Sequence, residues 1–139
     1  MKRHYVIASH TKLAAGMADT LKFFVTKDID LIVLTAYVDN KPIDAQVKNI
    51  FSNISAEDEI IILTDIMGGS VNQQFFSYIY RPHTHVISGV NLPLVMAIVM
   101  EPTDDYLIPE RIRQIIDEAK QQLVYVNDRA QENAGDEDE

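Results

Sequence analysis

The chain has no cysteine among its 139 residues, so neither a disulfide framework nor a thiolate metal site is open to it. No apolar run approaches the length of a membrane span, and the N-terminus carries no signal-peptide pattern. The expectation is a cytoplasmic protein without membrane insertion. Basic residues number only 12 against 21 acidic ones and form no stripe, which argues against nucleic acid as a partner. Nucleotide signatures are missing as well: there is no P-loop, and no Gly-x-Gly-x-x-Gly follows the first apolar run. The hydrolase elbow fails at its last position, where Gly68-Gly69-Ser70-Val71-Asn72 has Asn in place of glycine.

The negative charge that is present is unevenly spread. Of a net −9, five charges fall in residues 132–139, which contain no base, leaving −4 on the rest. Such a segment reads as a solvating tail without fixed structure. The division expected is one domain over 1–127, long enough to bury a core without staples, and an acidic tail over 128–139.

Within the domain, apolar runs and helical periodicities alternate. Tyr5-Val6-Ile7-Ala8-Ser9-His10 reads as a buried strand, and Lys12–Val25 as a helix with Ala14, Met17/Ala18, Leu21 and Phe24/Val25 on one face. Leu31–Leu34 is a second short strand, and Ile43, Val47, Ile50 and Ile54 mark a second helix with Pro42 at its start. Glu59–Thr64 is a third strand, and a helix from about Val71 to Tyr80 follows it. His85–Ser88 is a fourth strand, trailed by helices over Leu92–Met100 and around Ile108–Ala119. Leu123-Val124-Tyr125-Val126 closes as a strand, either an edge of its own sheet or an edge exchanged with a partner subunit. Alternation of this kind implies an α/β fold, a mostly parallel sheet with helices on both faces.

Open α/β sheets bind ligands past the carboxyl ends of their strands, and two such ends carry chemistry here. His10 closes the first strand, where an imidazole acts as base, nucleophile or metal ligand. Asp65 follows the third and supplies a carboxylate to orient that ring. Gly68-Gly69-Ser70 then separates strand from helix. Small residues there let the backbone approach a ligand, and a helix start favours anions. Ser70 adds a hydroxyl, as helix N-cap or as phosphate donor. A phospho-accepting receiver domain would also keep an aspartate at Asp65, but its magnesium needs an acidic pair where Ser9-His10 stands. His4 is expected at the surface. His83 and His85 are i, i+2 at the start of the fourth strand without a third ligand, so no metal is assigned to them.

Three segments in series carry a family resemblance: Val6-Ile7-Ala8-Ser9-His10, Leu63-Thr64-Asp65-Ile66-Met67-Gly68-Gly69-Ser70 and Ser88-Gly89-Val90-Asn91-Leu92-Pro93. The chain resembles the IIA proteins of the mannose-type phosphoenolpyruvate-dependent sugar phosphotransferase system. The family often has proline after Gly-Gly-Ser, where this chain has Val71. The resemblance implies a three-layer sandwich around a four-stranded parallel sheet of order 2-1-3-4. It also implies a C-terminal antiparallel strand, Leu123–Val126, exchanged in a homodimer.

The function implied is that of a phosphocarrier without cofactor or metal. His10 takes a phosphoryl group on Nε2 from phospho-HPr and passes it to a IIB component, itself associated with membrane IIC and IID subunits. Asp65 orients His10 through Nδ1–H. Gly69, Ser70, Ser9 and Thr11 are the expected phosphoryl-binding residues, and Met67, Gly68 and Asn91 the site wall. Two relatives of the same fold are alternatives, the phosphocarrier subunit of a dihydroxyacetone kinase and a regulatory module that senses phosphorylation. The kinase subunit typically has Asp-Leu-Gly-Ser as its second motif, and Asp65–Ser70 looks like the sugar branch instead. The transported sugar is not legible, because membrane subunits select it.

Overall fold

In the computed structural model, which describes residues 1–130, the main regular elements follow one another. They are β1 (Arg3–His10), α1 (Leu13–Phe24), β2 (Leu31–Ala36), α2 (Ile43–Ser52), β3 (Glu59–Thr64), α3 (Ser70–Phe76), β4 (Thr84–Ser88), α4 (Leu92–Val99) and α5 (Pro109–Lys120). The strands form one sheet of order β2-β1-β3-β4 with every pairing parallel, as expected from the sequence.

Successive side chains of a strand point to opposite faces, so unbroken apolar runs need cover on both sides. The two central strands are such runs. Tyr5 and Ile7 of β1 join Ile61 and Leu63 of β3 on one face, under α1, α4 and α5. Val6 and Ala8 join Ile60 and Ile62 on the other, under α2 and α3. Ala14, Ala18 and Leu21 form the buried stripe of α1, and Ile112, Ile115 and Ala119 that of α5, the i, i+3 or i+4, i+7 pattern of a helix laid on a sheet. α4 buries Leu94, Val95, Ile98 and Val99 and has almost no polar side, as befits a helix enclosed by its neighbours.

Chain direction in the sheet reverses between β1 and β3. The first crossover steps from β1 outward to β2, and the next returns across β1 to β3. The carboxyl ends of β1 and β3 therefore flank the switch point where such sheets open a crevice. His10 and Asp65 arrive at its two sides.

Three departures from the expected elements have plain causes. The helix after β3 tightens into a 3-10 turn over Ser77–Tyr80, because Pro82 disfavours a helical Arg81 and no further α turn can be added. β1 begins at Arg3 rather than Tyr5, and the two added residues, Arg3 and His4, are buried. Leu123–Val126 is not a strand in the single chain: residues 123–125 have no regular structure, residues 126–130 are helical, and the apolar side chains are exposed. A strand needs a ladder partner, and among the described residues no strand of the chain pairs with this segment. Of the expected acidic tail over 128–139, residues 131–139 lie outside the described residues.

Polar groups lock the amino end of the sheet. Arg3 and Glu59 are register partners with fully buried side chains, and the guanidinium Nε donates to Glu59 Oε1. The guanidinium also donates to the carbonyls of Pro102 at 2.9 Å and Asp105 at 2.8 Å, while Glu59 Oε2 accepts the Leu107 N–H at 2.7 Å. One ion pair thereby ties both central strands to the segment leading into α5. His4, expected at the surface, is buried because both ring nitrogens face carboxylates: Nδ1 lies 2.6 Å from Asp30 Oδ2 and Nε2 lies 2.9 Å from Asp58 Oδ2. His85 is spent similarly, its Nε2 donating to the Leu107 carbonyl at 3.1 Å.

Burial opposes ionisation of Glu59, but His85, Arg3 and the Leu107 N–H outweigh it and hold the carboxyl below its ordinary value. A carboxylate whose folded pKa is depressed stabilises the fold above its unfolded pKa of about 4.3. That contribution is lost as pH falls from there through the folded value. Glu59→Gln leaves the Arg3 charge buried without its partner, so we expect a loss of about 3–5 kcal/mol in urea unfolding at pH 7. The difference from wild type should shrink as both are titrated below pH 4.

Candidate functional site

A second group of polar side chains lies at the carboxyl edge of β1 and β3. Strand alternation places His10 on the same face as Val6 and Ala8, the face covered by α2 and α3. Its side chain is about one-third exposed, and that of Asp65 is nearly buried. Asp65 Oδ2 accepts twice from the same residue, from the His10 backbone N–H at 2.9 Å and from ring Nδ1 at 2.7 Å. Its second oxygen accepts the Ile66 N–H at 3.0 Å.

Burial raises the cost of charge on Asp65, yet the two bonds from His10 and the one from Ile66 outweigh it and keep the carboxyl below its ordinary value. Asp65 is therefore an ionised, accept-only group near neutral pH. In the neutral ring Nδ1 must carry the proton, which leaves the lone pair on Nε2.

The turn after β3 brings Ser70 to that nitrogen. Gly68 takes φ +78°, a left-handed conformation that costs glycine nothing. Gly69 is needed for space: a Cβ there would lie 3.1 Å from His10 Cε1 and 3.0 Å from Ile66 Cγ1. The sequence pattern suggested room for a ligand, and in the structure the imidazole itself fills part of it. Ser70 Oγ lies 3.3 Å from His10 Nε2. Ser70 is the first residue of α3, whose N-cap is Gly69 without any side-chain cap bond, so its hydroxyl is not used in capping. Thr64 and Asn72 steady the turn through a side-chain bond of 2.9 Å.

The other expected residues divide. Met67 is strongly exposed beside Ile66 and forms an apolar rim. Thr11 is exposed next to His10 at φ +48°. Ser9 is not brought into the site: it lies on the opposite face of β1, and its buried Oγ accepts the Ala14 N–H at 2.7 Å at the start of α1. Asn91 is committed to α4, its side chain accepting the Leu94 N–H at 2.9 Å. Among the described residues no cluster of three or more metal-ligating side chains is present.

One site residue went unforeseen. Tyr37 follows β2 directly, its ring stacked 5.6 Å from the His10 imidazole at 29° and its hydroxyl 2.5 Å from Ser70 Oγ. The signal was available in Thr35-Ala36, which extend β2 to the same edge as His10. Ending that strand at Leu34 left Tyr37 in a loop.

Fold and site together define an α/β protein with a carboxylate-oriented histidine at its switch point. Comparison with known proteins gives the family. The model of the "PTS system fructose IIA component" family, EIIA-man, matches residues 4–116, and the chain belongs to that family of sugar phosphotransferase system IIA components. A solved structure from Klebsiella pneumoniae, described as a candidate phosphoenolpyruvate-dependent sugar phosphotransferase system permease, is 36% identical with a TM-score of 0.84. The match covers 91% of this chain and 93% of that one. The fold also recurs in a Streptococcus pneumoniae IIA protein associated with a fucose utilization operon, at 23% identity and TM-score 0.78, covering 94% and 97% of the two chains. It recurs again in the mannose/sorbose specific IIA subunit of Enterococcus faecalis, at 17% identity and TM-score 0.72, covering 89% and 94%. No curated protein matches the sequence. No helix among the described residues is long and apolar enough to cross a membrane.

Gly69→Ala tests whether the turn sets the ring. The backbone at Gly69 has φ −74°, which alanine accepts, so stability should change by no more than about 1 kcal/mol. The methyl group should displace the imidazole, seen in NMR as loss or an upfield shift of the hydrogen-bonded Nδ1 proton resonance.

Proposed function

We propose that the chain is a cytoplasmic phosphocarrier, accepting a phosphoryl group from phospho-HPr on Nε2 of His10 and passing it to a IIB component. The supporting observation is the His10–Asp65 pair at 2.7 Å, which puts the ring lone pair on Nε2 beside the Ser70 hydroxyl. In the forward step the Nε2 lone pair attacks phosphorus while the phosphorus–nitrogen bond of the donor histidine breaks. The bonding electrons return to the donor ring. The phosphorylated His10 ring then carries positive charge on a protonated imidazole, and ionised Asp65 offsets it. A cationic phosphoimidazole is a good leaving group, so the second transfer is the first run toward a new acceptor.

Phosphoryl transfer is largely positioning and charge stabilisation. Ser70 is suited to donate to a phosphoryl oxygen, with the uncapped backbone N–H groups that begin α3 beside it. Thr11, exposed next to the ring, is a second candidate donor. No metal or cofactor takes part in this scheme. The exposed rim of Leu13, Tyr37, Ile66 and Met67 suits partners that dock in turn and leave. IIC and IID subunits would be reached through IIB.

The exposed apolar segment Leu123–Val126 supports a homodimer in which it adds an antiparallel strand to the partner's sheet. Sedimentation equilibrium should then give twice the chain mass, and Leu123→Asp combined with Tyr125→Asp should halve it.

Phosphorylation by phosphoenolpyruvate, enzyme I and HPr, read by intact mass, tests the carrier. We expect one acid-labile phosphoryl group on wild type and none on His10→Ala. Asp65→Ala should still be modified, at a rate about 10- to 100-fold lower, the scale on which partners that orient metal-ligating histidines act. Undiminished phosphorylation of His10→Ala would reject the assignment.

A further inference from the structure

Tyr37 stands immediately past the carboxyl end of β2 on backbone with φ +69°. That region is unfavourable for a bulky L residue, and such conformations persist where surrounding contacts over-determine them. Burial is not the cause, since the residue is 55% exposed. Its side chain meets two site side chains there: the ring stacks on His10, and the hydroxyl reaches Ser70.

The direction of the hydrogen-bond chain follows from one fixed end. Ionised Asp65 only accepts, so Nδ1 of the neutral ring donates and Nε2 only accepts. Ser70 must therefore donate to Nε2 across 3.3 Å. Having given its single hydrogen, Ser70 Oγ must accept from the Tyr37 hydroxyl at 2.5 Å. Tyr37, Ser70, His10 and Asp65 form one ordered relay of donors and acceptors.

We propose that Tyr37 is a positioning residue for phosphoryl transfer at His10, acting through Ser70. This rests on the carrier reading above. Phosphorus takes the Nε2 lone pair to which Ser70 donates in the resting state. As the nitrogen–phosphorus bond forms, the Ser70 hydrogen turns from Nε2 to a phosphoryl oxygen. Tyr37 continues to donate to the Ser70 oxygen and holds it in place while that hydrogen swings. The stacked phenol ring meanwhile limits the tilt of the imidazole. Without the tyrosine hydroxyl, Ser70 samples other rotamers, and ordering it becomes part of the barrier.

The test is single-turnover transfer from phospho-HPr to wild type, Tyr37→Phe, Ser70→Ala and the double variant. Tyr37→Phe keeps the ring and removes only the hydroxyl. The expected result is a rate at saturating donor about fivefold lower, the scale of one lost hydrogen bond. The donor concentration giving half the maximal rate should be unchanged. On the Ser70→Ala background the same substitution should cost nothing further. A wild-type rate for Tyr37→Phe, an equal fold-loss with and without the Ser70 hydroxyl, or a change confined to donor concentration dependence would each overturn the proposal. Wild type serves as the separate control: if it takes no phosphoryl group, the carrier reading itself fails.

Discussion

β1 and β3 exchange their hydrogen bonds inside a sheet covered by helices on both faces, and no side chain between Tyr5 and Ala8 or between Ile60 and Leu63 reaches water. Everything else in the molecule follows from how those two strands begin and end. Charged groups are expensive to bury without partners, so the central strands carry them only at their tips. The amino tips meet as Arg3 and Glu59, a pair that reaches across to the α4–α5 connection. The carboxyl tips meet as His10 and Asp65. Structural and chemical polarity are thus separated by the full length of an apolar strand pair, and each can vary without disturbing the other.

At the carboxyl tip a single oxygen, Asp65 Oδ2, receives both the backbone N–H and the ring of His10. The arrangement fixes the imidazole relative to the strand that bears it and settles which nitrogen is bare. Gly69 then sets the distance from the other side, packing its backbone where any side chain would press on the ring. Orientation comes from a carboxylate and distance from the absence of a methyl group.

Much of this was legible beforehand, and the reasons differ by element. The apolar runs of β1 and β3 reveal themselves because a doubly covered strand leaves no polar alternation to confuse the period. His10 and Asp65 were visible because each follows an apolar run, and Ser70 because it closes a Gly68-Gly69 turn ahead of a helix. Ser9 looked like a neighbour of His10 in sequence, but strand alternation sends it to the opposite face, where it serves α1. His4 was misplaced because its burial depends on Asp30 and Asp58, 26 and 54 residues away. Tyr37 was missed because β2 runs two residues further than its apolar core suggests. Leu123–Val126 has the composition of a strand, but composition cannot supply a ladder partner within the chain.

Three of the four strands pass at once into a residue of positive φ: Thr11 after β1, Tyr37 after β2 and Gly89 after β4, with Gly68 in the turn after β3. Each strand end therefore reverses sharply instead of running into a long excursion over the sheet. The rim is low. A cargo attached to Nε2 would stand proud of the surface, sheltered by the faces of partners rather than by a closing flap of its own.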